Sequence, residues 1–108
     1  MDFGITFSLL LLLISVIYFL FQPKKINFFY GYRTPKSLKD IKNWKFANWF
    51  FSIGMIVISA SNFIVLYLFS LIIDLDKFSV YYFVALLTVE FSLLIYLTEK
   101  KMTQNENK

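Results

Sequence analysis

The chain contains no cysteine and no histidine. That excludes disulfides, the usual zinc sites, Cys or His nucleophile machinery and haem attachment. Charge is scarce as well: 17% of residues are charged, against about 25% in a soluble domain. With two prolines and three glycines there is no Gly/Ser linker. There is also no internal repeat, so residues 1–108 are expected to form one domain. No nucleophile–base pair, metal set or phosphate loop is visible, so no enzyme activity, cofactor or metal is expected.

What the chain does have is apolar bulk: 58% hydrophobic and 21% aromatic residues. It falls in three runs. Phe3 to Phe21 and Ala47 to Ile73 carry no charge, and Phe78 to Leu97 carries only Glu90. About 20 apolar residues span a bilayer core as a helix. In hydrocarbon the backbone must satisfy its own polar groups, so helix is the form expected for each run. The second run, roughly 40 Å long as a helix, is expected to tilt or to start in the interface. The first run has no basic segment before it and no small-x-small site before Pro23, so it reads as a retained span rather than a cleaved signal. The expected fold class is all-α, an integral membrane bundle of three transmembrane helices. The spans lie at about 3–21, 47–73 and 78–97, with a motif loop at 22–46 and a disordered tail at 103–108.

The charges predict an orientation. Lys24, Lys25, Arg33, Lys36, Lys39, Lys42 and Lys45 sit between the first two runs, and Lys100, Lys101 and Lys108 follow the third. Three spans put both groups, all but one of the 11 basic residues, on the same side. Basic residues near span ends stay cytoplasmic. The expectation is a multi-pass cell-membrane protein with its N-terminus outside, and with the motif loop and C-terminus in the cytoplasm. Tyr18, Trp44, Trp49 and Tyr96 then fall near the inner interface, and Tyr67, Tyr81 and Tyr82 towards the outer one.

The inner loop is the informative segment. Gly31 lies between Tyr30 and Tyr32, where a tight turn or a close backbone approach is expected. Thr34-Pro35 resembles a helix start, with Thr34 as N-cap and Pro35 at the first helical position. Ser37 with Asp40 is a competing cap. Leu38, Ile41, Trp44 and Asn48 then recur at helical spacing, which predicts a cytoplasmic amphipathic helix that runs or bends into the second span. Arg33 could clamp a carboxylate or phosphate in two-pronged fashion or stack on a tyrosine. It could equally anchor the loop to anionic lipid heads, as the lysines are expected to do. No module for direct nucleic-acid binding is visible.

The string Asn27-x-x-Tyr30-Gly31-Tyr32-Arg33-Thr34-Pro35, followed by Trp44 and Ala47-Asn48, resembles the signature of the SdpI family. These are bacterial multi-span membrane proteins named for immunity to a sporulation-delaying toxin. By this resemblance Asn27, Tyr30, Gly31, Arg33, Thr34, Pro35, Trp44 and Asn48 are the motif and partner-binding positions. The resemblance implies toxin resistance against a secreted toxin peptide. For the named member it also implies signalling, with a cytoplasmic transcriptional repressor held at the membrane. That member is longer, with more spans than the three read here.

Glu90 stands apart, about 10 Å from the inner end of its span. A carboxylate at that depth costs several kcal/mol unless it is paired, hydrated or protonated. Ser15, Ser59, Ser61 and Asn62 are the partners expected at its level. It could bind a peptide, pass a proton, or join two helices by a hydrogen bond. Ser52, Gly54, Ser59, Ala60 and Ser61 make the second span small on one stretch, as helix packing requires. The functional expectation is an immunity or signalling protein whose partners are the lipid bilayer, a toxin peptide and a repressor. The alternative is a subunit of a small oligomeric transporter or channel.

Overall fold

The computed structural model of the chain describes residues 3–27, 29–72 and 80–106. Among these every regular element is an α-helix: α1 (Phe3–Leu20), α2 (Ile41–Ser70) and α3 (Val80–Glu106). All three are long and apolar enough to cross a membrane. The molecule measures 48 × 24 × 21 Å, long enough for a bilayer roughly 40–45 Å thick with its headgroups. Residues 74–77 between the second and third runs, the end of the second run at Ile73 and the start of the third at Phe78 lie outside the described residues.

α2 is the central helix. It packs along α1 and α3, which touch each other little. Small residues make the α1–α2 approach possible. Ser8 and Ser15 on α1, and Ser52 and Ser59 on α2, repeat every second turn and are buried. Small side chains let backbones approach where no hydrophobic force draws helices together. Most of their hydroxyls are satisfied within their own helices: Ser15 donates to Leu11 O, Ser52 to Trp49 O and Ser59 to Met55 O. Ser8 Oγ is buried with no hydrogen-bond partner. On the other flank Gly54 seats Leu94 of α3, and a Cβ at Gly54 would overlap the Leu94 methyl groups. Ser61, expected to pack, is exposed instead. It points away because the buried face of α2 follows Ser52, Ser59, Asn62 and Leu66.

Large apolar side chains such as Leu10, Leu13, Ile17, Val57, Val89 and Leu93 cover the outside. A soluble protein rarely exposes apolar area so widely. In a bilayer this surface faces acyl chains and needs no burial.

Two helix boundaries differ from the expectation. Among the described residues no separate amphipathic helix precedes the second span. Thr34 does cap a turn, its Oγ1 accepting from Ser37 N at 3.2 Å, and Leu38 N donates to Thr34 O at 2.9 Å. That turn ends at Asp40, which is extended (φ −155, ψ 170) and is itself the N-cap of α2, accepting from Asn43 N at 2.8 Å. Pro35 therefore opens a single turn, and α2 runs straight from Ile41 into the membrane. Its buried inner face is Asn43, Trp44, Ala47 and Asn48, while Leu38 and Ile41 are exposed. At the other end, α3 continues to Glu106 where disorder was expected from Thr103. Met102 is fully buried there, packed with Tyr32 and Ala47.

Candidate functional site

The motif loop folds back onto the C-terminal ends of α1 and α3 and the N-terminal turns of α2. Asn48 on α2 is its hub. Its Oδ1 accepts from the Tyr32 backbone N–H at 2.7 Å and from the Tyr18 hydroxyl of α1. Its Nδ2 donates to Trp44 O, one turn earlier, at 2.9 Å. One amide thus joins α1, α2 and the loop. Trp44 is fully buried, and its indole N–H donates to Pro23 O at 2.8 Å. The chain leaving α1 is fastened there.

Gly31 fits this arrangement for two reasons. Its φ of +115 lies where side chains are strained, and a Cβ would sit 2.8 Å from Asn48 Oδ1 and 2.9 Å from Pro23 Cγ. Both the turn and the close approach expected from the sequence are present. Upstream, Asn27 closes a local turn by accepting from the N–H groups of Phe29 and Tyr30 at 2.9 and 3.0 Å. Tyr30 donates to Phe21 O at 3.0 Å. Asn27 and Tyr30 therefore shape the loop from its outer side, while Gly31, Trp44 and Asn48 meet at its centre.

The second anchor is Glu99 on α3. Its carboxylate accepts from the Tyr32 hydroxyl at 3.0 Å and from the Thr34 hydroxyl at 3.1 Å. Burial pushes the Tyr32 phenol well above the ordinary tyrosine value, and the Glu99 hydrogen bond and charge raise it further. Ser37 reinforces the strand of contacts, its hydroxyl donating towards Tyr32 O and Thr34 O. Beyond it, Asn43 donates to Lys36 O at 3.0 Å and to Glu106 at 2.5 Å, and Lys36 donates to Thr103. Glu99, Met102, Thr103 and Glu106 form one face of α3, and that face holds the loop. Thr103 and Glu106 fall in the tail expected to be disordered, and Glu99 and Met102 lie just past the apolar run. Their 3–4 spacing was the available signal, diluted by Lys100, Lys101 and Gln104.

Of the predicted positions, Thr34 and Asn48 hydrogen-bond to hold the loop, and Pro35 is an exposed corner. Arg33 is exposed between buried Tyr32 and half-buried Thr34. Glu90 is not part of this cap. It lies roughly 13 Å further along α3, where its Oε1 accepts from Asn62 Nδ2 at 2.9 Å. Asn62 is one of the partners expected for it; Ser15 and Ser59 bond within their own helices instead.

Residues 24–97 match the SdpI/YfhL protein family. The matched span covers more than half of the chain, including the loop from residue 24 onward and both later spans. The chain belongs to the SdpI/YfhL family. No curated protein and no solved structure matches it. Within this SdpI-family chain, the residues that carried the resemblance are largely those that shape the loop: Thr34, Trp44 and Asn48 make hydrogen bonds that fasten its backbone, and Gly31 supplies the positive-φ turn. It is a multi-pass membrane protein with three apolar helices.

Proposed function

We propose that this SdpI-family protein is a membrane interaction protein, not an enzyme, that gives immunity to a secreted toxic peptide. The same loop would serve signalling by binding a cytoplasmic partner such as a transcriptional repressor. The observation that carries this reading is the alternation at Tyr32-Arg33-Thr34. The two flanking side chains donate to Glu99, and Arg33 between them is exposed. A guanidinium presented in this way suits two-pronged recognition of a carboxylate or phosphate. The polar groups around it are committed to holding the loop, which favours binding over chemistry. The weight of basic residues at this end supports a cytoplasmic loop and C-terminus and an outside N-terminus.

The test is survival of cells carrying single variants when challenged with a panel of secreted peptide toxins. Arg33→Ala should abolish protection while the amount of protein in the membrane is unchanged. Arg33→Lys, which keeps the charge but not the fork, should restore only part of it. Full protection by Arg33→Ala, or equal sensitivity of cells with and without the gene across the panel, would refute the proposal.

A further inference from the structure

A cavity of about 760 Å³ opens beside the end of α1, within the range of small-molecule sites. Its walls divide by chemistry. Phe19, Leu20 and Phe21 form an apolar side that continues the lipid-facing surface of α1, while Lys24, Lys45 and Gln22 form a polar side, and Trp49 and Tyr30 stand between them. The site is built on fixed backbone. Pro23, next to Lys24, is held through its carbonyl by Trp44, Gln22 donates to Phe19 O at 3.0 Å, and Tyr30 donates to Phe21 O at 3.0 Å. Lys45 and Trp49 are one turn apart on α2, so both face the cavity from a rigid helix.

We propose that this cavity binds the headgroup of an anionic phospholipid, with the phosphate between Lys24 and Lys45. Three observations together point to an anionic lipid, the last two setting it apart from a soluble anion. The two lysines supply positive charge, and no acidic residue lines the cavity. Trp49 and Tyr30 are half exposed at its rim, as aromatic residues at a membrane interface are. The apolar wall leads directly to Ile17, Leu20 and Phe21, which are exposed along α1 and can carry the acyl chains. Basic pockets at the ends of spans take lipid heads in this way.

The experiment uses the full chain purified in detergent, with lipid retention followed by native mass spectrometry. Phosphatidylglycerol and phosphatidylcholine of identical acyl chains are titrated in parallel. Phosphatidylglycerol should saturate at one lipid per chain and bind about 10-fold or more tighter than phosphatidylcholine, since two lysines contribute. Lys24→Gln with Lys45→Gln should remove that preference, and Lys42→Gln with Lys101→Gln, basic residues outside the cavity, should leave it intact. All four lysines are exposed, so these variants keep the core. Equal binding of the two lipids would overturn the proposal. So would an equal loss in the two double variants, which would mean diffuse surface charge. Displacement of the lipid by an equal concentration of inorganic phosphate would also overturn it, by showing that the site reads a free anion.

Discussion

Asn48 holds more of this structure than its size suggests. Both ends of its amide are used, and its Oδ1 serves two donors from two different segments. Removing a buried partner leaves the others unsatisfied, at about 1–3 kcal/mol each. Asn48→Ala should therefore cost about 2 kcal/mol or more, seen as a lower unfolding temperature in detergent. A cost below about 0.5 kcal/mol, the usual size of a surface change, would count against the hub. Gly31→Ala meets both a strained φ and a clash with the same amide, and should behave alike. Tyr32 gives a pH prediction. Its phenol is raised by burial and by Glu99, so the neutral form favours the folded state. Its contribution is complete below the ordinary tyrosine value of about 10 and is lost as pH rises beyond it. An absorbance titration of the wild type minus that of Tyr32→Phe should show no phenolate near pH 10; a phenolate there would mean that Tyr32 is solvated. At this scale the sequence was informative where one residue type has few uses. Gly31 between two tyrosines announced a turn. Glu99 did not announce itself, because a carboxylate after a span resembles any tail charge until the loop is folded onto it.

Among the elements, α3 carries the less obvious role. Its membrane part packs loosely, with Gly54 receiving Leu94. Its extension beyond the apolar run binds the loop through Glu99, Met102, Thr103 and Glu106. Met102 is buried against Tyr32 and Ala47, so Met102→Ala should cost about 2–5 kcal/mol and loosen the loop, measured as faster proteolysis between α1 and α2. The Lys39–Glu106 pair at 3.9 Å is exposed on its lysine side, and Lys39→Gln should change stability by less than about 1 kcal/mol. Apolar run length gave the spans well. It failed at their inner ends, because α2 and α3 both extend past the hydrocarbon and are sustained there by hydrogen bonds between distant segments. The expected amphipathic helix illustrates this. The spacing of Trp44 and Asn48 was helical, but it belonged to α2 itself, started by the Asp40 cap.

Viewed as a whole, the molecule has a greasy exterior, a seam of small and polar residues between its helices, and a polar cap at the basic end. The seam includes Glu90 and Asn62, whose hydrogen bond links α3 to α2. Glu90→Gln keeps an acceptor for Asn62, so helical content and unfolding temperature should stay near wild type. Glu90→Leu leaves Asn62 without that acceptor and should lower stability by about 1–3 kcal/mol. Equal behaviour of the two variants would mean that the bond does not join the helices. The cap is the centre of the account, because every functional reading of Arg33 rests on its backbone being fixed. Hydrogen exchange of the full chain in lipid nanodiscs tests this most directly. The amides of Tyr32, Thr34, Ser37 and Leu38 should be protected like the first turns of α2, and Asn48→Ala should release the Tyr32 amide. Exchange of these amides at the rate of an unstructured loop in the wild type would contradict the account.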